Sequence, residues 1–370
     1  MSVIGNTALR FDDEQAMLLD YARSFCADKG LTQARIHLES EQAHDDSLWQ
    51  EIIAMGWTGI GLPESAGGAG LGIGAAVPVL ESMGRVMMGT PLMSSLLAAQ
   101  LLLRADAAAA AAIVQSIAAG AVATVAQLET SGWGASDVTA RLDENGRVRG
   151  HKRMVMDAAQ ARWLVVTLNG EQPALAVIDS QSLAADAIRP RQLIDLTHRA
   201  ADVVLEDVEP VLVISGDGLS DALRDYALLG ALLVAAQSTG AAAALDTIVD
   251  YLKTRKQFDK LIGSYQALKH PAVDMLNNVD SSRSFIYHAA TLVGDDVLGR
   301  DQEIACRMAK AQATETLKFA GDRAVQFHGG MGFSWECDAQ LFIRRAQWAQ
   351  QQFGDAQHHR KRLADLLLDS

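Results

Sequence analysis

Two long apolar runs at helical spacing, joined by a short cationic stretch, constrain the fold more than any other feature of this chain. Leu228, Leu229, Leu232, Leu233, Ala236, Thr239, Gly240, Ala243 and Ala244 recur every three or four residues before the join. Ala267, Leu268, Ala272, Met275, Leu276 and Val279 do the same after it. Between them lies Tyr251 to His270, YLKTRKQFDKLIGSYQALKH, with Arg255, Lys256, Gln257 and Phe258 side by side. A guanidinium can grip a pyrophosphate through two parallel hydrogen bonds. An amide can bond the edge of a ring system, and a phenyl ring can stack on its face. The stretch therefore reads in two ways: as half of a site for a flat anionic ligand, or as an exposed basic turn that Phe258 anchors in the core.

A second segment bears on the choice. Gln326 to Phe333, QFHGGMGF, ends another helical run. Paired glycines let a backbone approach a bulky ligand, and a glycine equally often caps a helix. Together the two segments resemble the acyl-CoA dehydrogenase family. YLKTRKQF and IGSYQALKH are similar to its Arg-x-Gln-Phe-Gly…Ile-Gly-x-x-Gln stretch, and QFHGGMGF to its Gln-x-x-Gly-Gly-x-Gly flavin signature, in the same order and spacing. The resemblance covers nearly the whole chain. It implies an α+β, mostly α fold: an N-terminal helical domain, a middle antiparallel β domain and a C-terminal four-helix bundle. It also implies FAD as cofactor, an acyl-CoA substrate, an electron-transferring flavoprotein as redox partner, and a tetramer whose subunits share each FAD.

The order of textures along the chain agrees. Residues 1–120 read as helices. Asp12 or Asp13 is placed to cap the first, and Ser47 to cap another that carries Leu48, Ile52, Ile53 and Met55. Gly70-Leu-Gly-Ile-Gly-Ala75 matches a dinucleotide-binding pattern only formally, because it follows a Pro-Glu-Ser-Ala-Gly-Gly loop and not a strand. The alanine-rich run Ala105 to Ala119 is helical by propensity. From residue 121 to 214 short β-prone runs take over: Ala121–Leu128, Arg147–Arg149, Leu164–Leu168, Ala174–Ile178 and Ala201–Leu205. Turn signals at Asp143-Glu-Asn-Gly146 and Asn169-Gly170 divide them. Residues 215–370 are helical again.

Charge and cysteine content exclude some classes. With 32 Lys+Arg against 45 Asp+Glu the net charge is −13, which argues against nucleic acid or an anionic membrane as partner. Cys26, Cys306 and Cys337 form no paired framework and no zinc pattern, as expected of a reducing compartment. The start, MSVIGNTALRFDDEQ, lacks a secretory pattern, and the longest apolar run, Ala227 to Ala236, is too short for a bilayer. A soluble, cytoplasmic protein is expected.

Within the resemblance, the two halves of the flavin site differ. One subunit of such a tetramer offers its β domain and a loop near its C-terminus, and its neighbour offers the two signature segments. Arg255, Gln257, Phe258, Gln266, Gln326, Gly329 and Gly330 keep the neighbour half by residue type. In the β-domain half only Glu129, Ser136 and Asp137 persist from the family's Thr-Glu-Pro…Gly-Ser-Asp loop. After Gly150-His151-Lys152, Met154 stands where a tryptophan would pack on the flavin. Met156 stands where a hydroxyl would bond it, which a thioether cannot do. Core filling is the plainer reading of both methionines.

Neither of the family's usual positions for the base holds a carboxylate. Desaturation of an acyl thioester removes a proton from the α carbon, so a carboxylate must reach it. The family's two glutamate positions fall on Phe353 and Leu229. Asp225 and Asp355 are the nearest acids and the candidates for a displaced base. His358 and His359 with His328 or Cys337 would be a metal set of poor spacing, and a helix-end pair is the simpler reading, so no metal is expected. No G-x-S-x-G motif occurs.

The resemblance, with these departures from it, implies an FAD-dependent acyl-CoA dehydrogenase that is the base-lacking subunit of a heterotetramer, acting on a bulky acyl-CoA such as a steroid-derived one. The alternatives are a homotetrameric dehydrogenase with a displaced base, a flavin monooxygenase or oxidase on the same fold, and a structural partner without activity.

Overall fold

The structure is a computed structural model that describes residues 13–40, 42, 44–130, 137–170 and 172–368. Asp12 and Ser136 lie outside them.

The N-terminal part is helical. Helix α1 (Asp13–Glu39) is broken at Gly30, whose φ is 59°. Helix α2 (Asp46–Ala54) is capped by Asp45, not by Ser47. The Asp45 carboxylate accepts the Ser47 and Leu48 amides at 2.9 and 3.1 Å, which leaves Ser47 inside the first turn. Short 3-10 turns then carry the glycine-rich loop into α3 (Ala76–Arg85). Helix α4 (Leu92–Ala118) takes in the alanine run. It breaks at Asp106 (φ −164°), whose carboxylate accepts the Ala109 amide at 3.0 Å and caps the second half.

Two four-stranded sheets follow. One has the order β1-β4-β5-β8, with β1 (Ala123–Ala126), β4 (Trp163–Leu168), β5 (Ala174–Asp179) and β8 (Leu212–Ser215). The other is β2-β3-β7-β6, with β2 (Arg141–Leu142), β3 (Val148–Met156), β6 (Ile188–Arg191) and β7 (Ala200–Val208). The expectation of purely antiparallel strands fails at one place: β1 and β4 pair in parallel, because β2 and β3 leave for the other sheet between them. Both turn signals connect paired strands, β2 to β3 and β4 to β5. The short β6 escaped the sequence reading because Pro190 cannot donate to a ladder, and β6 is accordingly an edge strand.

The rest is helical. Helices α5 (Leu219–Gln237) and α6 (Gly240–Thr254) meet at Ser238–Thr239. After them come α7 (Gln266–Leu292), α8 (Arg300–His328), α9 (Ala339–Gln351) and α10 (Ala356–Leu368). Helix α8 packs against all five others. Buried Glu81 of α3 bonds Arg283 of α7 at 2.8 Å and also accepts from the Tyr287 hydroxyl, tying the N-terminal helices to the bundle. Two helical stretches, Leu92–Ala118 and Leu219–Thr254, are long and apolar enough by composition to cross a bilayer, contrary to the shorter run noted above. In the second, 94% of the apolar window is buried inside the fold, so its hydrophobicity is already used as core.

Candidate functional site

The signature segments meet at one exposed end of the bundle. Helix α6 stops at Thr254 because the chain turns extended at Arg255 (φ −73°, ψ 131°). A tight hairpin follows, β9 (Lys256–Gln257) against β10 (Lys260–Leu261). Its two turn residues, Phe258 and Asp259, take left-handed φ of 53° and 59°. That twist suits a two-residue hairpin, but a phenylalanine there is strained. Phe258 is 82% exposed, which excludes it as a core anchor. The Arg255 guanidinium has no partner among the described residues. The Tyr265 hydroxyl donates to the Gln257 carbonyl at 3.3 Å, and the exposed Gln266 opens α7 beside it.

The last turns of α6 and α8 lie together, for the Tyr251 and His328 rings stack with centroids 4.4 Å apart. Gln326 on α8 is exposed. Gly329 caps the helix with φ 60°, so the capping role is real. A Cβ on Gly329 or Gly330 would meet no atom within 4 Å, so this backbone is also open to a bulky group. Met331 and Phe333 extend the exposed surface. Arg255, Gln257, Phe258, Gln326, Gly329 and Gly330 are thus all exposed where α6 and α8 end together, and they offer a cation, amides, a ring and bare backbone. That donor set fits the phosphates and ring edge of FAD.

The opposite half is closed. A cavity of about 70 Å³ lies between α4, β3, α5 and the α9–α10 loop, lined by Met93, Leu97, Met154, Met156, Tyr226 and Phe353 among others. Pockets for drug-sized ligands run to roughly 300–1,000 Å³, so a three-ring flavin does not fit this one. No residue of the exposed signature face lines it. Phe353 is held at φ 54° with Gly354 at 90°. Its ring stands edge-on to Tyr226 at 5.4 Å. It also covers Gly230, where a Cβ would lie 2.4 Å from Cζ. Leu229, the other glutamate position, is fully buried.

Met154 is not core filler, since it is 39% exposed. The β3–β7 register slips by one residue between Lys152 and Val155, and this bulge turns Met154 outward at φ 51°. Its amide donates to the Asp202 carboxylate at 3.1 Å. Met156 is partly buried, as filler would be.

The acids are committed elsewhere. Asp225 is buried against Arg104 (3.0 Å), Arg224 (3.1 Å) and the Leu298 amide (3.0 Å), which occupies both oxygens. Asp355 is exposed and caps α10 through the His358 amide at 2.8 Å. Glu129 accepts from the buried Lys152 ammonium at 2.6 Å and from the Thr139 and Ala140 amides at 2.7 and 3.0 Å. Burial pushes Glu129 up, but the bonds from Lys152 and Thr139 outweigh it and hold the carboxyl below its ordinary range. Asp137, partly buried, belongs to the same loop. No cluster of three or more His, Cys, Asp or Glu able to hold a metal occurs among the described residues. His359 instead donates to the Phe353 carbonyl at 3.0 Å, and burial followed by Lys310 and Arg307 lowers its pKa to about 3.

Two groups near the cavity carried no recognised motif. Asp157, just past β3, is fully buried and accepts from the Ser94 hydroxyl at the cavity wall and from the Gln160 amide at 3.0 Å. Burial raises it to about 7, partly offset by Ser94 and Arg199. Gly230 could have been noticed, since a lone glycine inside a leucine-rich helix costs about 1 kcal/mol relative to alanine and implies a close neighbour.

Comparison with known proteins follows this geometry. The N-terminal acyl-CoA dehydrogenase domain matches residues 12–129 and the C-terminal domain residues 216–368. Acyl-CoA dehydrogenase IpdE2 of Mycolicibacterium smegmatis is 29% identical over 331 residues, 89% of this chain and 90% of that one. The Caffeyl-CoA reductase-Etf complex subunit CarC of Acetobacterium woodii is 26% identical over 357 residues, 90% of this chain and 93% of its own. Among solved structures, a variant of the Tcur3481-Tcur3483 steroid ACAD superposes with a TM-score of 0.84 at 27% identity, covering 96% of this chain and 98% of that one. With both terminal domains matched and the architecture reproduced, the chain belongs to the acyl-CoA dehydrogenase family, oxidoreductases that act on acyl-CoA thioesters.

Proposed function

We propose that this chain is the base-lacking subunit of a two-subunit, FAD-dependent acyl-CoA dehydrogenase, and that each FAD sits between it and an unlike, base-carrying partner. The observation that carries the reading is the contrast at Phe353 and Arg255. The usual base position is an aromatic ring packed on Gly230, while Arg255, Gln257, Phe258, Gln266 and Gln326 stay exposed with no side-chain partner among the described residues. Arg255 would hold the FAD pyrophosphate. Gln257, Gln266 and Gln326 would bond its polar edges, Phe258 would stack, and Gly329–Gly330 would let the cofactor approach the backbone.

Bound there, FAD supplies the electron acceptor for α,β-desaturation. The α proton leaves to a carboxylate of the partner, because Asp225 and Asp355 are both engaged. A bulky, steroid-like acyl group is the proposed substrate, supported by the likeness to a steroid ACAD. An electron-transferring flavoprotein is the proposed acceptor of the electrons, supported by the likeness to a subunit of an Etf complex.

The test is to purify the chain alone and co-expressed with a second acyl-CoA dehydrogenase-like chain, then measure assembly mass and flavin absorbance per chain. Little FAD alone, rising toward one per two chains in the complex, is expected. One FAD per chain in a homotetramer overturns the reading.

A further inference from the structure

Phe353 sits between two spaces. Inside it lies the apolar cavity of about 70 Å³. Outside it lies a cleft of about 410 Å³ with mixed walls, whose polar side chains are Gln127, Gln350, Gln351, Asp355 and His358. Phe353 and Gln127 line both. We propose that Phe353 is a fixed plug, with Gly230 as its seat, that seals this chain's own pocket from the outer cleft. Unplugged, the two spaces form one channel with an apolar floor that takes a single narrow alkyl or acyl chain. This deepens the half-site reading, on which it rests, by saying what became of the chain's own pocket.

Three observations support the plug. The ring occupies the volume a side chain at residue 230 would need, since the three atoms nearest a Cβ there all belong to Phe353, at 2.4, 2.5 and 2.7 Å. The backbone at Phe353 is left-handed, a conformation a bulky residue keeps only when its surroundings impose it. Those surroundings are present: the buried Lys310 ammonium donates to the Ala349 carbonyl at 3.0 Å and the Gly354 carbonyl at 2.7 Å. The His359 ring holds the Phe353 carbonyl itself. The loop is thus clamped on both sides of the ring. The ligand class follows from the walls. Met93, Leu97, Met156 and Tyr226 offer adaptable apolar surface, and the bore admits a chain but not fused rings.

Two measurements on the full chain, neither involving flavin, test the plug. In the first, 11-(dansylamino)undecanoic acid is titrated into wild type, F353A and F353L and followed by fluorescence. F353A should bind the probe at least tenfold more tightly than wild type, and F353L should stay close to wild type. In the second, G230A is introduced into wild type and into F353G, which lacks Cδ1, Cε1 and Cζ and adopts the left-handed φ without strain. G230A should lower the melting temperature of wild type and raise that of F353G, because only the first meets the ring and alanine is the better helix former. A cooperatively folded F353A that binds the probe no better than wild type overturns the proposal. So does an equal loss from G230A in both backgrounds, a result that holds whether or not F353A folds. One FAD per chain in a homotetramer, with a successful G230A cycle, removes the half-site reading and keeps the plug. The reverse pair of results removes only the plug.

Discussion

Two aromatic residues in this chain are held at nearly the same left-handed φ, 53° for Phe258 and 54° for Phe353, and they do opposite things. Phe258 points out of a two-residue hairpin and is 82% exposed, next to Arg255, whose guanidinium has no partner among the described residues. Phe353 points inward onto Gly230 and Tyr226, at the position where the resemblance places a glutamate. Each conformation costs on the order of 1–3 kcal/mol, so each must be imposed by something. At Phe353 the packing and the Lys310 and His359 clamps impose it from within. At Phe258 the short hairpin sets the turn, while the ring stays exposed among the described residues. On the half-site proposal, the difference separates a site completed by another molecule from one closed by its own loop.

The largest expected effect breaks the comparison at its exposed end. Arg255→Ala, made in the co-expressed complex, should abolish flavin retention through gel filtration and lower turnover at least about a hundredfold, with the melting temperature of the chain unchanged. Losing a two-bond contact to a pyrophosphate accounts for the flavin loss, and the exposure of Arg255 for the unchanged melting temperature. Arg255→Lys should recover part of the flavin, since a point charge remains without the fork. Normal flavin content in Arg255→Ala would show that this face is not the cofactor face.

At the closed end the expected loss is in stability and not in chemistry. Asp225→Asn leaves Arg104 buried without its counter-charge, which costs about 3–5 kcal/mol in urea unfolding. Flavin content and turnover of whatever complex folds should not change. Loss of turnover in a variant of unchanged stability would restore Asp225 as the base.

Much of this contrast was legible in the sequence. The order of α, β and α segments follows from hydrophobic period. The exposed face follows from motif residues adjacent along the chain, such as Arg255 to Phe258. The closed half was legible only as an absence: a phenylalanine and a leucine at the glutamate positions. What replaced the base was hidden, because the partners of Phe353 lie about 120 residues away on α5, and sequence spacing does not report which faces of distant helices meet. Asp225 looked available for the same reason, as its partners Arg104 and Leu298 come from distant segments. The bulge that exposes Met154 was equally invisible, since it is a slip of register against β7.

Asp157 sharpens the account of the cavity wall. Its carboxyl is raised to about 7 by burial, so the folded chain holds this proton where the unfolded chain has released it. The sign follows from linkage: the folded state is favoured below the unfolded value near 4, and that advantage is lost as pH rises to about 7. Asp157→Asn removes the titration. Relative to wild type it should gain about 2–4 kcal/mol between pH 4 and pH 8, measured by urea unfolding at both ends of the window. A pH-independent difference would mean that the wall is wet and the carboxylate solvated.

The smallest effect concerns Asp355, two residues beyond the plug. It is exposed, and its carboxylate takes the His358 amide at the first turn of α10. A helix N-cap of this kind is worth about 0.5–2 kcal/mol, so Asp355→Ala should lower stability by about 1 kcal/mol. Asp355→Asn should lose less, because an amide oxygen still accepts the bond. The cap also fixes where α10 begins, and Lys310 fixes the Gly354 carbonyl next to it. Loosening α10 should therefore relax the clamp on Phe353 slightly, and the dansyl probe should bind Asp355→Ala a little better than wild type and far less well than F353A. A base would behave differently: Asp355→Ala and Asp355→Asn would lose turnover equally, with probe binding unmoved. The ratio between the two variants, more than the size of either effect, decides whether this carboxylate caps a helix or takes a proton.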